Sequence, residues 1–254
     1  MDRLAFNAAA SINEMRLARQ QLSHEMANIN TNGFKKSYEV AMVAHKASGQ
    51  GFDSRFQPLA VPTDLIQLKS GPLIATGREL DVLMNNSTVL GVTAENGELA
   101  FSRRGDLRVN TSGALENSLG QLIRNDEGGN VTIPPGFMAR IADDGTVFAT
   151  DPAQPGVPQQ VPVGRLLLRD ASQTPLRRRE DGLCRVDGQP SGTDFASGPE
   201  QPSLTVRALE GSNVNPMEAM VKMIEHSRSF EQQVKIIKDS TENDQAGAAM
   251  MKLP

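Results

Sequence analysis

Ala27-Asn28-Ile29-Asn30-Thr31-Asn32-Gly33-Phe34 closes the first part of this chain, residues 1–32, which contains neither glycine nor proline until Gly33. A second stretch without either spans 217–246, and the residues between the two are full of both. Helix interiors tolerate these residues least. The chain therefore divides into a helix-permissive start, a turn-rich middle and a helix-permissive end. Asn and Gly readily adopt the left-handed conformation that ends a helix, so the Asn/Gly run marks a stop. Phe34 is placed for the apolar contact beyond the cap.

Working back from that stop, residues 3 to about 30 predict an amphipathic helix. Ala8, Met15, Leu22 and Ile29 recur every seven residues, and Ile12, Ala18 and Met26 widen the stripe. Arg16, Arg19, Gln20 and Glu25 take the other faces, as an apolar face with a 3.6-residue period requires. The stripe suits a helix that docks on a partner chain, and equally one packed on its own domain.

Working forward, residues 35–75 predict an extended connector. Lys35, Lys36 and Lys46 precede Ser48-Gly49-Gln50-Gly51, and Pro58, Pro62 and Pro72 follow with few long apolar runs. Residues 76–207 predict an antiparallel β domain. β-prone runs such as Thr88-Val89-Leu90-Gly91-Val92 alternate with turn clusters at Glu95–Gly97, Asn110–Gly113, Asp126–Gly129, Asp143–Gly145 and Asp181-Gly182. That spacing suits a sandwich or barrel-like body.

The last element, assigned to 208–254, starts at Asn215-Pro216-Met217-Glu218. Asn215 is a capping residue, Pro216 fits the first helical position, and Glu218 sits where a capping-box carboxylate reaches back. Met220, Met223, Phe230, Val234 and Ile237 follow one side, with Val221 and Ile224 beside them. The helix is predicted to run to about Gln245, with a resumption through Ala246 to Leu253. The fold class is α+β, a mainly antiparallel β domain flanked by long terminal helices that pair into an intersubunit bundle. The residues expected at the subunit interface are Met15, Leu22, Met26, Ile29, Met220, Ile224, Phe230, Val234 and Ile237.

Composition narrows the function. The net charge of −4 provides no basic field for nucleic acid. No apolar run approaches the ~18 residues of a membrane span, and the N-terminus lacks the pattern of a cleavable signal peptide. The expectation is a soluble chain without a membrane span. Cys184 is the only cysteine, which excludes an internal disulfide framework and a multi-cysteine metal site. It reads as a small core filler.

Catalytic signals are missing. His24, His45 and His226 are scattered, and no metalloprotease, redox, nucleotide-binding or nucleophile motif is present. Asp126-Glu127-Gly128-Gly129-Asn130 lacks the ligand order of a calcium loop. Arg177-Arg178-Arg179 is followed by Glu180-Asp181, and is expected to be a solvated, self-neutralised strand end. The reading is therefore a protein that is not an enzyme, with no cofactor, metal or catalytic residues.

The two helix junctions carry a family likeness. Gln20 through Lys35 resembles the N-terminal signature of bacterial flagellar rod and hook proteins, in the positions Ala27, Asn28, Asn30, Thr31, Gly33 and Phe34. Leu209 through Met220 resembles the signature that opens their C-terminal helix, in Glu210, Gly211, Ser212, Asn213 and Val214. Thr76-Gly77-Arg78-Glu79-Leu80-Asp81-Val82, Phe101–Asp106 and Asp143–Val147 are similar to the family's internal landmarks. The chain departs from the pattern at Met84-Asn85-Asn86-Ser87-Thr88.

Among siblings, the likeness favours the proximal-rod member over the distal-rod or hook type. The resemblance implies a structural subunit of the basal-body rod in the periplasm, polymerising with copies of itself and other axial proteins. It also implies export without a signal peptide, through the flagellar type III apparatus. The competing reading is a monomeric β-domain binding module whose helices fold back on it.

Overall fold

The computed structural model describes residues 2–38, 41–46, 56–61, 64–152 and 160–250. Two compact units emerge. The first is helical and combines Met1–Ala27, Glu39–Thr63 and Asn215–Pro254. The second is a β body built from Asn28–Tyr38 and Asp64–Val214.

In the helical unit, α1 (Asp2–Ala27) packs along α2 (Pro216–Met250) and against β2 (Phe56–Val61), which forms an antiparallel hairpin with β1 (Ala41–Lys46). Among the described side chains, Ala8, Leu22, Ala219 and Ser240 are the buried ones on the two helices. The start of α2 is capped as its sequence dictates. The Asn215 side-chain oxygen accepts from the backbone N–H of Met217 (3.0 Å) and Glu218 (3.3 Å), satisfying donors that no helical carbonyl can reach. Glu218 then pairs with Lys222 at 3.0 Å.

Three boundaries differ from the sequence reading. α2 runs unbroken through Gly247 to Met250, because a single glycine costs only about 1 kcal/mol and the helix formers around it offset that. α1 ends at Ala27, so Ile29 lies in the turn beyond it. Gly33 has the expected positive φ of 71°. It serves the Thr31–Phe34 turn, where the Phe34 N–H donates to the Thr31 carbonyl (3.2 Å), and not the helix cap. The stretch 35–75, expected as one connector, is also divided. It begins and ends in the β body and supplies the β1–β2 hairpin between. Residues 47–55 of that stretch lie outside the described residues.

The body is antiparallel throughout its described strands. β3 (Leu73–Ala75), β4 (Val82–Met84), β5 (Thr88–Thr93), β6 (Leu99–Ser102), β7 (Leu107–Val109), β8 (Leu115–Asn117) and β9 (Leu122–Ile123) come first. Next are β10 (Met138–Ile141), β11 (Thr146–Thr150), β12 (Gln160–Arg165), β13 (Leu168–Asp170), β14 (Leu176–Arg178), β15 (Cys184–Val186), β16 (Leu204–Val206) and β17 (Ala208–Glu210). The main sheet has the order β14-β15-β6-β5-β9-β8-β7, and β13 also pairs with β5. β10-β11-β12 forms a second sheet, and β16-β4 and β17-β3 are ribbons.

Each turn cluster named above falls between strands or strand-like segments. Two apolar clusters fill the body. The larger is centred on Val82, Met84, Leu90, Leu107, Leu115, Ile123 and Val147. The smaller joins Ile66, Val89, Phe101, Leu167, Leu176 and Phe195, with Phe101 and Phe195 edge-to-face at 4.9 Å. Cys184 packs half-buried against the smaller cluster, and burial pushes its thiol up to about 11. A protonated thiol in an apolar wall is a core filler, not a nucleophile.

Candidate functional site

The two signature segments lie 175 residues apart in the chain and meet inside the β body, at one buried ionic cluster. Glu210, on β17, carries a carboxylate that is 1 % exposed. One oxygen accepts from the Lys35 ammonium (2.7 Å) and the Gly71 N–H (3.1 Å); the other accepts from Arg103 Nε (2.7 Å). The backbone joins the same contact, since the Gly33 N–H donates to the Glu210 carbonyl at 2.7 Å.

Each cation is held from a second side. Lys35 donates to the Lys69 carbonyl (2.9 Å), and Arg103 donates to the Met84 carbonyl (2.6 Å). Charged groups removed from water persist only when paired and hydrogen-bonded in this way. Burial, then the neighbouring Arg103 charge, lowers Lys35 from the usual lysine value to about 8, against the opposing pull of Glu210.

Asn213 ties three chain segments together. Its side-chain oxygen accepts from the Lys36 N–H (2.6 Å), and its amide donates to the carbonyls of Gln67 (2.9 Å) and Lys69 (3.2 Å). Its own backbone N–H reaches the Phe34 carbonyl at 3.3 Å. Close approach explains the glycines here. A Cβ on Gly33 would lie 2.3 Å from the Arg103 carbonyl oxygen, and one on Gly71 would lie 2.1 Å from that of Gly211. The points where the chain leaves the body toward α1 and α2 are thus stitched to each other.

Other signature residues take local roles. Thr31 donates its hydroxyl to the Asn28 side-chain oxygen (3.1 Å), and the Ser212 hydroxyl accepts from the buried Val214 N–H at 3.3 Å. Gly211 donates its N–H to the Pro72 carbonyl (2.8 Å), while Ala27 and Asn30 are exposed.

The arginine run is not the uniformly solvated strand end that its sequence suggests. Arg177 pairs with Asp187 (2.8 Å) and Arg179 with Glu98 (3.1 Å) and Asp181 (3.0 Å). Arg178 instead stacks its guanidinium over the Phe34 ring, 4.5 Å from the centroid, and donates to the Lys35 carbonyl. Sequence reasoning missed Arg178 and Arg103 as parts of this junction. No spacing rule links them to residues 33–35, because β-sheet pairing alone brings them near.

The helix residues expected at an interface separate into two groups. Met220, Ile224, Phe230 and Val234 are exposed, at 51, 53, 42 and 44 %. Met15, Met26, Ile29 and Ile237 are half-buried and Leu22 is buried. Leu22 is therefore a packing residue of the single chain. Met217 and Val221 join the exposed group and were not expected there. Among the described residues, no helix is long and apolar enough to cross a membrane.

A β body whose two chain exits are clasped together, with a terminal helix from each, directs attention to the matching signatures. Residues 206–250 match the family model "Flagellar basal body rod FlgEFG protein C-terminal". The chain is 33% identical over 247 residues to the flagellar basal-body rod protein FlgF of Salmonella typhimurium, covering 96% of each chain. It is 31% identical to FlgF of Escherichia coli, covering 98% of this chain and 97% of that one. To the basal-body rod protein FlgG of Buchnera aphidicola subsp. Baizongia pistaciae it is 26% identical, covering 85% and 87%. The class these matches define is the flagellar basal-body rod proteins. Within that class the chain belongs to the FlgF family, as a structural component of the rod.

Proposed function

We propose that this chain polymerises as a proximal-rod subunit, its terminal helices bundling with those of neighbouring subunits into the torque-transmitting shaft. The observation that carries this is the outer face of α2. Met217, Met220, Val221 and Ile224 follow the i, i+3, i+4, i+7 spacing of one helix face and all four are exposed. Phe230 and Val234, also exposed, lie further along and are turned roughly 80–120° around the helix from Ile224. Isolated exposed apolar residues need no explanation, but a contiguous stripe of them marks an interaction surface. Each such side chain gains about 1.5–3 kcal/mol when fully buried.

Because α1 already packs on α2, the assembling surface is the outer face of a preformed helix pair. Copies of this chain and other rod proteins are the partners. The likeness to FlgF proteins supports the proximal rod over the distal rod, and the resemblance supports a periplasmic position reached through the flagellar type III export apparatus. The role is structural and calls for no cofactor, catalytic group or nucleic acid.

The test is Ile224→Asp in a flagellated host lacking the native gene. Motility and rod formation are expected to fail, while the purified variant keeps the wild-type helical signal and melting curve. Normal motility in that variant would overturn the proposal.

A further inference from the structure

An open groove of about 540 Å³ on the β body is lined by Arg78, Glu79, Leu80, Met138, Ala139 and Arg140. It borders β10, which pairs with β11 alone among the described strands, and Met138 on that strand is 66 % exposed. We infer that this groove receives the acidic turn Asp126-Glu127-Gly128-Gly129 of a second copy of the chain, with Glu127 pairing to Arg140. The inference rests on the polymerisation reading above and adds a contact between β bodies to it.

Arg140 calls for a partner. Its guanidinium is 55 % exposed and reaches only Glu79, at 3.7 Å, a carboxylate that Arg207 also holds. Every other described arginine of the body donates a side-chain hydrogen bond. Arg140 donates none. Its planar fork of five N–H donors fits a carboxylate. Leu80, Met138 and Ala139 give the groove an apolar part, so a docked segment would exclude water there and strengthen the pair.

The turn supplies the matching charge. Asp126 and Glu127 are neighbours and exposed, and among the described residues neither carboxylate enters an ion pair. The turn is preformed. The Asn125 N–H donates to the Gly129 carbonyl (2.9 Å), the Gly129 N–H donates to the Asn125 side-chain oxygen (2.6 Å), and Gly128 takes a positive φ of 92°. A preorganised segment loses little freedom on docking.

Within one copy the turn and the groove lie apart. The Asp126 N–H donates to the Arg165 carbonyl (3.0 Å), and Arg165 is paired with Thr146 at one end of β11. Thr150, at the other end of β11, lines the groove. About 13 Å of strand separates the two ends. Two different patches that fit each other make a head-to-tail contact, which repeats from copy to copy.

Glu127→Arg and Arg140→Glu are introduced singly and then together in a flagellated host lacking the native gene. Each single reversal sets like charges against each other and should slow swimming severalfold, while the purified chain melts as wild type. The double reversal restores opposite charges and should recover most of the loss. Wild-type swimming in either single variant would overturn the inference, as would a double variant no better than the worse single one. If Arg140→Glu melts early, Arg140→Gln and Glu127→Gln decide the matter. Their combined loss should not exceed the larger single loss, and additive losses overturn the contact. Rods that fail in Ile224→Asp but form in Glu127→Arg would overturn this contact and leave the helix reading standing. Rods that form in Ile224→Asp but fail in Glu127→Arg would do the opposite.

Discussion

Lys35 and Glu210 form an ion pair of 2.7 Å with side chains 3 % and 1 % exposed, although 175 residues separate them. One belongs to the segment that follows α1, the other to the strand that precedes α2. The pair makes the β body depend on both ends of the chain at once. It is the clearest point at which a change of one atom type has a calculable consequence.

Glu210→Gln leaves Lys35 and Arg103 buried without a counter-charge. Breaking a buried pair from one side costs about 3–5 kcal/mol, so the body's denaturant midpoint should fall sharply. A loss below about 1 kcal/mol would show that water reaches the cluster and that the burial argument fails.

Lys35 gives a pH dependence of definite sign. Its folded value, about 8, lies below the ordinary lysine value of 10.5. Between these values the unfolded chain binds more protons, so stability increases with pH. The contribution is complete above the unfolded value and is lost as pH falls through the folded one. Urea midpoints of the wild type minus those of Lys35→Met should therefore climb from pH 8 to 10.5. A flat or falling difference would contradict the assignment.

The three arginines should prove unequal. Arg177→Gln and Arg179→Gln remove partly exposed pairs, each worth only ~0–1 kcal/mol. Arg178→Gln loses the stack on Phe34 and the bond to the Lys35 carbonyl, and a cation–π contact alone contributes about 0.5–2 kcal/mol. Chemical denaturation of the three single variants should rank Arg178 first. Equal small effects would restore the view of a solvated run.

Leu22 and Ile224 should separate folding from assembly. Leu22 is 6 % exposed and Ile224 is 53 % exposed. Leu22→Asp puts a charge into the packing of the helical unit, which costs several kcal/mol, and the helical signal of the purified chain should melt earlier. Ile224→Asp leaves that signal unchanged. Identical melting of the two variants would mean that the helix pair does not form in the isolated subunit.

The sequence by itself determined the elements whose signals are local. Asn215-Pro216-Met217-Glu218 specified the start of α2 because a cap requires only residues within one turn. The Asp/Asn–Gly clusters specified turns for the same reason. The β1–β2 hairpin escaped because Pro58 sits within β2, and proline demotes a strand. A two-stranded ribbon tolerates it, since both of its strands are edges. Tertiary structure alone decided that Lys35, Glu210 and Arg103 share one site, that Arg178 reaches Phe34, and that Leu22 faces inward while Ile224 faces out. Periodicity defines a helical stripe but not what covers it, and charge pairing across 175 residues depends on strand order, which no local spacing encodes.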